Sequence, residues 1–432
     1  MKRLLLMIAC CALAAGLCAS QAQAGEVDIL VEKLVKKGIL SKSDAEDVLK
    51  EVKEAAWQEK DQERAEIIKG AKEAVRNEIK KDPKMFADAL PAWVRKMQLK
   101  GDFRLRYEST DRDDTADRNR GRYRLRLGVV TQINDQIDVG FGLASGSADP
   151  RSTNETMDNS FERGDLRLDY AYARYRPWSW LSLVGGKFEN PLFRPTDMLW
   201  DSDIRPEGAA AQFTHTLNPN IDLFANTGFF IIDERSGDEN DPTMYVIQPG
   251  SKIKFRSMYF KNAVALYRFD NYKGQRQADV NYSSGTNSVR KFKNTLRHDY
   301  DALVLSGEFG WKTPFARVPY ASVFGEAVKN TSVGQGDSGY AVGYGIGSAK
   351  VKKRHDWQFG TRYLKLERDA WPDFLPDSDT YDGETNVKGY KTSLTYGLFE
   401  NTNLCATYFN TKKISGPSLD EEKVQLDLNF KF

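Results

Sequence analysis

From Met97 to the carboxyl terminus, apolar and polar residues alternate one by one over short stretches. In 97–107 the positions Met97, Leu99, Phe103, Leu105 and Tyr107 are apolar, while Gln98, Lys100, Asp102, Arg104 and Arg106 carry charge or an amide. Tyr123, Leu125, Leu127 and Val129 repeat the phase against Arg122, Arg124 and Arg126; Ile137, Val139, Phe141 and Leu143 repeat it against Asp138, Gly140, Gly142 and Ala144. Successive side chains of a strand point to opposite faces, so a period of two predicts strands with one apolar and one polar face. Similar stretches recur near 165–176, 180–188, 207–216, 220–233, 243–256, 259–270, 300–312, 318–328, 338–350, 355–366, 387–398, 402–411 and 423–432, about sixteen strands within a range of 14 to 18.

The links between these stretches alternate in length. Asn134-Asp135, Asn218-Pro219-Asn220 and Glu400-Asn401 read as tight turns, whereas the Asp-, Asn- and Gly-rich segments near 109–120, 146–162, 234–242, 271–298 and 367–386 read as long loops. Short turns at one end and long loops at the other are the pattern of an antiparallel barrel that spans an outer membrane. A soluble sandwich packs one face of each strand dry, which leaves no place for so many charges on the second phase. The fold class expected is therefore all-β, a transmembrane antiparallel barrel over 95–432.

Residues 25–82 are written differently. They are rich in Glu and Lys, lack proline before Pro83, and space Ile29, Leu30, Leu34 and Val35, then Ala45, Val48, Leu49 and Val52, then Ile68, Ala71, Val75 and Ile79 by threes and fours. This predicts a helical segment in the periplasm, with Gly38 closing a first helix and Ser41 with Asp44 capping the next. Glu59 and Gln62 interrupt the heptad, so a coiled coil, a solvated amphipathic helix and a grip on peptidoglycan or another periplasmic partner through 26–81 all remain open.

The first residues set the compartment. Lys2 and Arg3, the apolar run from Leu4 to Leu17 and the small-x-small Ala22-Gln23-Ala24 form a signal peptide, 1–24, with the mature chain starting at Gly25. Of 4 cysteines, Cys10, Cys11 and Cys18 leave with it, and Cys405 alone cannot close an internal disulfide. Composition fits a membrane barrel: 12% aromatic and 29% charged with 33 glycines but only 3 histidines, and a mean hydropathy of −0.58 that conceals lipid-facing positions behind polar neighbours. The net charge of +2 names no partner and gives no ground for nucleic-acid binding.

The last strand, Lys423-Val424-Gln425-Leu426-Asp427-Leu428-Asn429-Phe430-Lys431-Phe432, alternates without a fault and ends in phenylalanine. It resembles the terminal signal by which outer-membrane barrels are recognised by the barrel-assembly machinery, with Phe430 and Phe432 as its carriers. The segment Asn190 to Ala209, with Trp200-Asp201-Ser202-Asp203-Ile204-Arg205-Pro206-Glu207-Gly208 at its centre, resembles the "WDSD-x-x-PEG" stretch of the bacterial family termed putative porin, and Gly185-Gly186-Lys187-Phe188 is similar to the "GGKF" strand end that leads into it. The resemblance covers almost the whole chain and implies a porin-like barrel in outer-membrane lipid, without a substrate; homotrimers are an analogy from porins in general. The segment's Pro and acidic residues suit either a loop folded into the lumen or a corner on the rim.

Catalytic chemistry finds little support. Gly336-Asp337-Ser338-Gly339 is similar to the GDSG of chymotrypsin-like proteases, but Tyr340 replaces the next glycine, and His215, His298 and His355 lie in no partner motif. Gly343, Gly345 and Gly347 alternate as strand residues, with no helix after them to make a phosphate loop. No metal-ligand cluster appears and no cofactor is implied. What a pore can use is charge. Arg104, Arg106, Arg122, Arg124, Arg126 and Arg167, with Arg174 beyond, form a candidate basic stripe, and Asp102, Asp169, Asp201, Asp203 and Glu207 a candidate acidic wall or constriction. The expected function is passive diffusion of small hydrophilic solutes and ions with a weak anion preference. The same Arg/Asp pairs can instead simply brace the wall, and two other classes stay open, an envelope-tethering barrel and a barrel-embedded hydrolase.

Overall fold

The computed structural model describes residues 33–37, 41, 50, 66, 69, 70, 73, 91–237, 240–417 and 419–432. The expected signal peptide and most of the expected helical segment lie outside the described residues. The chain divides into two compact units, Met1–Pro91 and Ala92–Phe432. In the first, residues 33–36, 50, 66, 69, 70 and 73 are helical.

The second unit opens with a short helix, α1 (Ala92–Arg95), which the sequence did not signal. Pro91 stands just before it, where a missing amide costs nothing because the first amides of a helix have no partner. Sixteen strands follow: β1 (Gln98–Arg112), β2 (Arg118–Gln132), β3 (Ile137–Ser145), β4 (Leu166–Trp178), β5 (Leu181–Lys187), β6 (Glu207–Asn218), β7 (Ile221–Ile231), β8 (Thr243–Phe255), β9 (Met258–Asp270), β10 (Ala302–Phe315), β11 (Val318–Asn330), β12 (Ser338–Gly347), β13 (Trp357–Leu366), β14 (Val387–Phe399), β15 (Thr402–Lys413) and β16 (Asp420–Lys431). Each pairs antiparallel with the next, and the two-residue strand Glu155–Thr156 adds a stub on β2. β16 returns to β1, with Phe430 opposite Phe103 and Asp427 opposite Arg106, so the sheet closes. Closure leaves no unpaired edge, the condition for placing strands in lipid. No helix among the described residues is long and apolar enough to cross a membrane.

Turn chemistry places the two ends. The side chain of Asn134 accepts from the amides of Gln136 and Ile137, both at 2.9 Å, and that of Asn218 from Asn220 at 2.9 Å, while Asn401 sits at φ 55°. Asn tolerates these conformations and caps its own turn. These turns lie at the end of the barrel where β1 begins and β16 finishes, and loops 146–165, 188–206, 232–242, 271–301 and 367–386 lie at the other. The loop expected near 109–120 is shorter than its composition implied, since β1 runs to Arg112 and β2 starts at Arg118. Inward ion pairs extend the strands there: Arg120 holds Glu108, and Arg112 holds Glu421 and Asp382.

The alternation sorts side chains as the period of two requires. Leu105, Tyr107, Phe141, Tyr175, Leu183, Phe229, Tyr245, Leu305, Tyr340, Tyr390 and Leu426 are exposed on the outer face, whereas Arg106, Glu108, Arg122, Arg124, Gln425 and Asp427 are buried on the inner one.

Candidate pore lining

Loops 188–206, 271–301 and 367–386 turn into the barrel and fill part of it with an apolar core. Phe188, Met198, Leu199 and Trp200 of the first loop pack with Tyr272 and Tyr300 of the second and Trp371 and Leu375 of the third, against the inward Phe230, Met244, Val246, Tyr267 and Phe269 of β7, β8 and β9. Trp371 is the centre of this cluster. It is fully buried, meets Tyr267 edge-on at 4.9 Å and Phe269 at 5.9 Å, and donates its indole N–H to the carbonyl of Leu199 at 2.7 Å. Asp373, also fully buried, accepts from the hydroxyl of Ser283 at 2.8 Å and the amides of Thr286 and Asn287 at 2.7 and 3.1 Å, which fastens the second loop to the third. The first loop leaves β5 through Gly186 at φ +115°, where a Cβ would collide with the carbonyl of Ala171. Only glycine fits that turn-in.

The opposite wall is charged. In the register of β1 and β2, Asp102 faces Arg126, Arg104 faces Arg124, Arg106 faces Arg122 and Glu108 faces Arg120. Two guanidinium pairs directly across a ladder repel, so the arrangement depends on carboxylates brought from elsewhere. Asp102 takes Arg124 at 2.6 Å and Arg126 at 2.7 Å, and Asp203 of loop 188–206 takes Arg126 at 3.1 Å. Arg106 is held by Asp427 of β16 at 2.7 Å and by Asp379 of loop 367–386 at 2.9 Å. Arg104 and Arg122 have weaker partners: Nε of Arg104 donates to Asn429 at 3.0 Å, Arg122 donates to the hydroxyl of Ser152 at 3.2 Å and the carbonyl of Asn154 at 3.3 Å, and their nearest carboxylates, Asp427 and Glu108, stand farther off at 3.7 and 3.8 Å.

Other candidate residues fall elsewhere. Asp169 faces Arg205 at 3.8 Å, and Arg174 faces Asp138 at 3.9 Å. Arg167 pairs with its neighbour Asp165 at 2.6 Å with about half its side chain exposed, so it stands at the rim and does not join the stripe. Glu207 lies on the outward phase of β6, exposed and paired with Lys187 at 2.7 Å; the strand begins at Glu207, and Ala210, three residues on, is the residue that faces the core. Asp201 is inside, but it serves the loops, accepting the amides of Asp203 and Ser378, both at 2.8 Å. Phe432 pairs its backbone with Gly101, and the rings of Phe430 and Phe103 lie 6.1 Å apart at the closing seam. Ser338 opens β12 with its hydroxyl on Glu367 at 2.8 Å. Gly343 and Gly345 face the lumen opposite Phe324 and Ser322, and a Cβ at Gly343 would meet the Phe324 ring at 2.8 Å. No group of described residues is arranged to hold a metal ion.

Several lumen charges were missed by reading the sequence. Asp427 was on the polar phase of the last strand and Asp197 in the 190–209 segment that suits a lumen loop or a rim corner, but Asp377 and Asp379 sit in a segment that resembles an ordinary polar loop. Arg362 reaches Asp197 at 2.6 Å, and Lys391 reaches Asp197 at 2.7 Å and Asp377 at 3.2 Å. Burial alone would raise the Asp379 carboxyl, but Arg106, Lys391 and Lys423 hold it well below the usual carboxylate range. Burial, with Asp377 and Asp203 close by, pushes Asp201 well above that range. Burial likewise raises Asp377.

The sequence pattern of a family described as "Putative porin" matches residues 60–116, 110–299 and 290–432. Among solved structures, OprB of Pseudomonas putida is similar over 78% of this chain and 94% of its own, with a TM-score of 0.52 and 11% identity. The Rhodopseudomonas blastica porin, in a mutant form, covers 78% and 100% at a TM-score of 0.45 and 9% identity, and OpdQ of Pseudomonas aeruginosa covers 78% and 98% at 0.42 and 12%. No curated protein sequence matches the chain.

Proposed function

We propose, from the premise that the chain belongs to the Putative porin family and is an outer-membrane channel for solute diffusion, that solutes pass along the charged side of the lumen and that its field gives a weak preference for anions. The supporting observation is the division of the interior. Packed loops occupy the side of β7, β8 and β9, while β1, β2 and β16 present Arg104, Arg106, Arg122 and Arg124 with Asp102 and Asp427. A polar hollow of about 630 Å³ adjoins this wall near the short-turn end among Lys100, Asp138, Arg174, Arg176 and Glu189, and a second hollow of about 410 Å³ lies under loop 188–206 against β11 to β14, with Thr196, Gln358, Arg362, Lys391 and Ser393 in its lining. Charges lining a narrow passage select by field without tight binding. Arg104 and Arg122, the least neutralised of the ladder, supply the bias.

Planar-bilayer recording of the folded protein tests the pathway. Discrete porin-sized steps are expected, and persistent silence from folded barrel would transfer the argument to an envelope tether. In a salt gradient, an Arg122→Glu, Arg124→Glu variant should move the reversal potential toward cation preference; an unmoved potential would leave the ladder as a brace alone. Acidification should act in the opposite direction. Asp201 and Asp377 have raised pKa values, so as pH falls they lose their charge before an ordinary carboxylate near 3.8 does, while the guanidiniums stay cationic. Anion preference should therefore rise as pH is lowered, before ordinary carboxylates titrate, and an Asp201→Asn, Asp377→Asn variant should lack that early rise; a rise that persists in it assigns the effect to other groups.

The amino-terminal segment belongs to the same proposal as a periplasmic appendage that grips the cell wall or an envelope partner, and the terminal Phe430 and Phe432 as an assembly signal. Removing 26–81 is expected to leave unitary conductance unchanged while releasing the protein from a peptidoglycan pull-down. Loss of conductance would make the segment part of the pore.

A further inference from the structure

The arginines of the ladder have ion-pair or hydrogen-bond partners, but among the described residues two lysines across the lumen have no ion pair. Lys252 of β8 and Lys261 of β9 are direct register partners on the inner face, so two ammonium groups stand opposite each other on neighbouring strands. Such a pair is destabilising unless an anion comes between. The carboxylates nearest in the ladder are engaged by other groups, although Asp222 lines the same pocket as the lysines. Asp222, the register partner of Lys252 on its other side, takes Lys254 at 2.6 Å and the hydroxyl of Thr216 at 3.0 Å. Glu308, beside Lys261 on β10, is held by the hydroxyls of Tyr259 and Tyr320. Among the described residues, what Lys252 and Lys261 touch instead is aromatic. Nζ of Lys261 lies 4.0 Å from the ring centre of Phe193 and 5.1 Å from that of Phe224, and Nζ of Lys252 lies 4.4 Å from that of Tyr259.

These groups face one pocket of about 820 Å³, on the short-turn side of loop 188–206, floored by Pro191, Leu192, Phe193 and Phe224. Its chemistry is mixed: Lys261 lies over the ring of Phe193, which stands edge to face with Phe224 at 6.4 Å, and Lys252 lies over the ring of Tyr259. We propose that Lys252 and Lys261, with Phe193 and Phe224, form a subsite for a flat organic carboxylate, one whose anionic group bridges the two ammoniums while its ring lies on the phenylalanines. The subsite rests on the reading of the barrel as a solute channel, since the ligand must enter the lumen. A small hydrated anion can answer the charge but leaves the apolar floor in water, so the site should favour a carboxylate that carries a ring.

Calorimetric titration of the full-length protein, folded in detergent, with sodium benzoate and with sodium acetate tests this without requiring conduction. Saturable benzoate binding is expected, at least about tenfold tighter than acetate. Lys261→Gln and Lys252→Gln, at half-buried positions, should each weaken it about tenfold or more, and Lys291→Gln on the exposed loop should not. Phe224→Leu keeps the volume and removes the ring; it should narrow the gap between benzoate and acetate, and it keeps the idea testable if a lysine variant fails to show heat-modifiable folding. Absence of saturable benzoate binding by folded wild-type protein, or unchanged binding in Lys261→Gln, overturns the subsite. Binding in a protein that never conducts would keep the subsite and overturn the channel.

Discussion

Replacing Trp371 with alanine is expected to open the filled side of the barrel. The indole sits with no exposed surface among Tyr267, Phe269 and the first inward loop, and its N–H ties that loop to the third through Leu199. Truncating a buried tryptophan costs about 3–5 kcal/mol, from lost burial and from the cavity left behind. Here that loss falls on loop packing, because the strand ladder keeps its own hydrogen bonds. The expected phenotype is a folded, heat-modifiable barrel with larger unitary conductance and new protease cleavage within 367–386. Wild-type conductance together with wild-type protease resistance would show that the loops are held without Trp371.

The second large effect is expected at Arg106. Its side chain is 4% exposed and carries both Asp427 and Asp379. Arg106→Met removes the cation and leaves two carboxylates facing each other inside, a change that costs about 3–5 kcal/mol when the abandoned charge stays buried. The unfolding midpoint in urea should fall, and the reversal potential should move toward cations. Adding Asp379→Asn should recover part of both, since it removes one of the stranded charges. A single variant as stable as the wild type would show that water reaches this pair and screens it.

The second variant also distinguishes two ideas about the ladder that sequence reading alone could not. Arg104, Arg106, Arg122, Arg124 and Arg126 were legible as inward residues because each falls on the polar phase of a strand. Their partners were not. Asp379 is 273 residues from Arg106 along the chain, and nothing in the composition of 367–386 marks that loop as one that enters the lumen. Glu207 shows the same gap in reverse: a family-like motif drew it inward, but its position on the first residue of β6 turns it outward, beside Lys187. Lys252 and Lys261 were visible as polar-phase residues, yet their being opposite each other, with Asp222 and Glu308 engaged elsewhere, depends on the register of four strands.

By itself, the sequence determined the class of the molecule: alternation specified strands with two unlike faces, Asn-containing links specified the short-turn end, and the faultless alternation of 423–432 specified a last strand. These are local properties, set by which face a side chain takes and which backbone angles a turn residue tolerates. The tertiary structure alone decided which loops fold inward, which half of the interior they fill, and which charges are left without a partner. Those outcomes depend on packing and ion pairing between segments that are far apart in sequence, where a polar loop that enters the barrel and one that stays in solvent are written with the same residues.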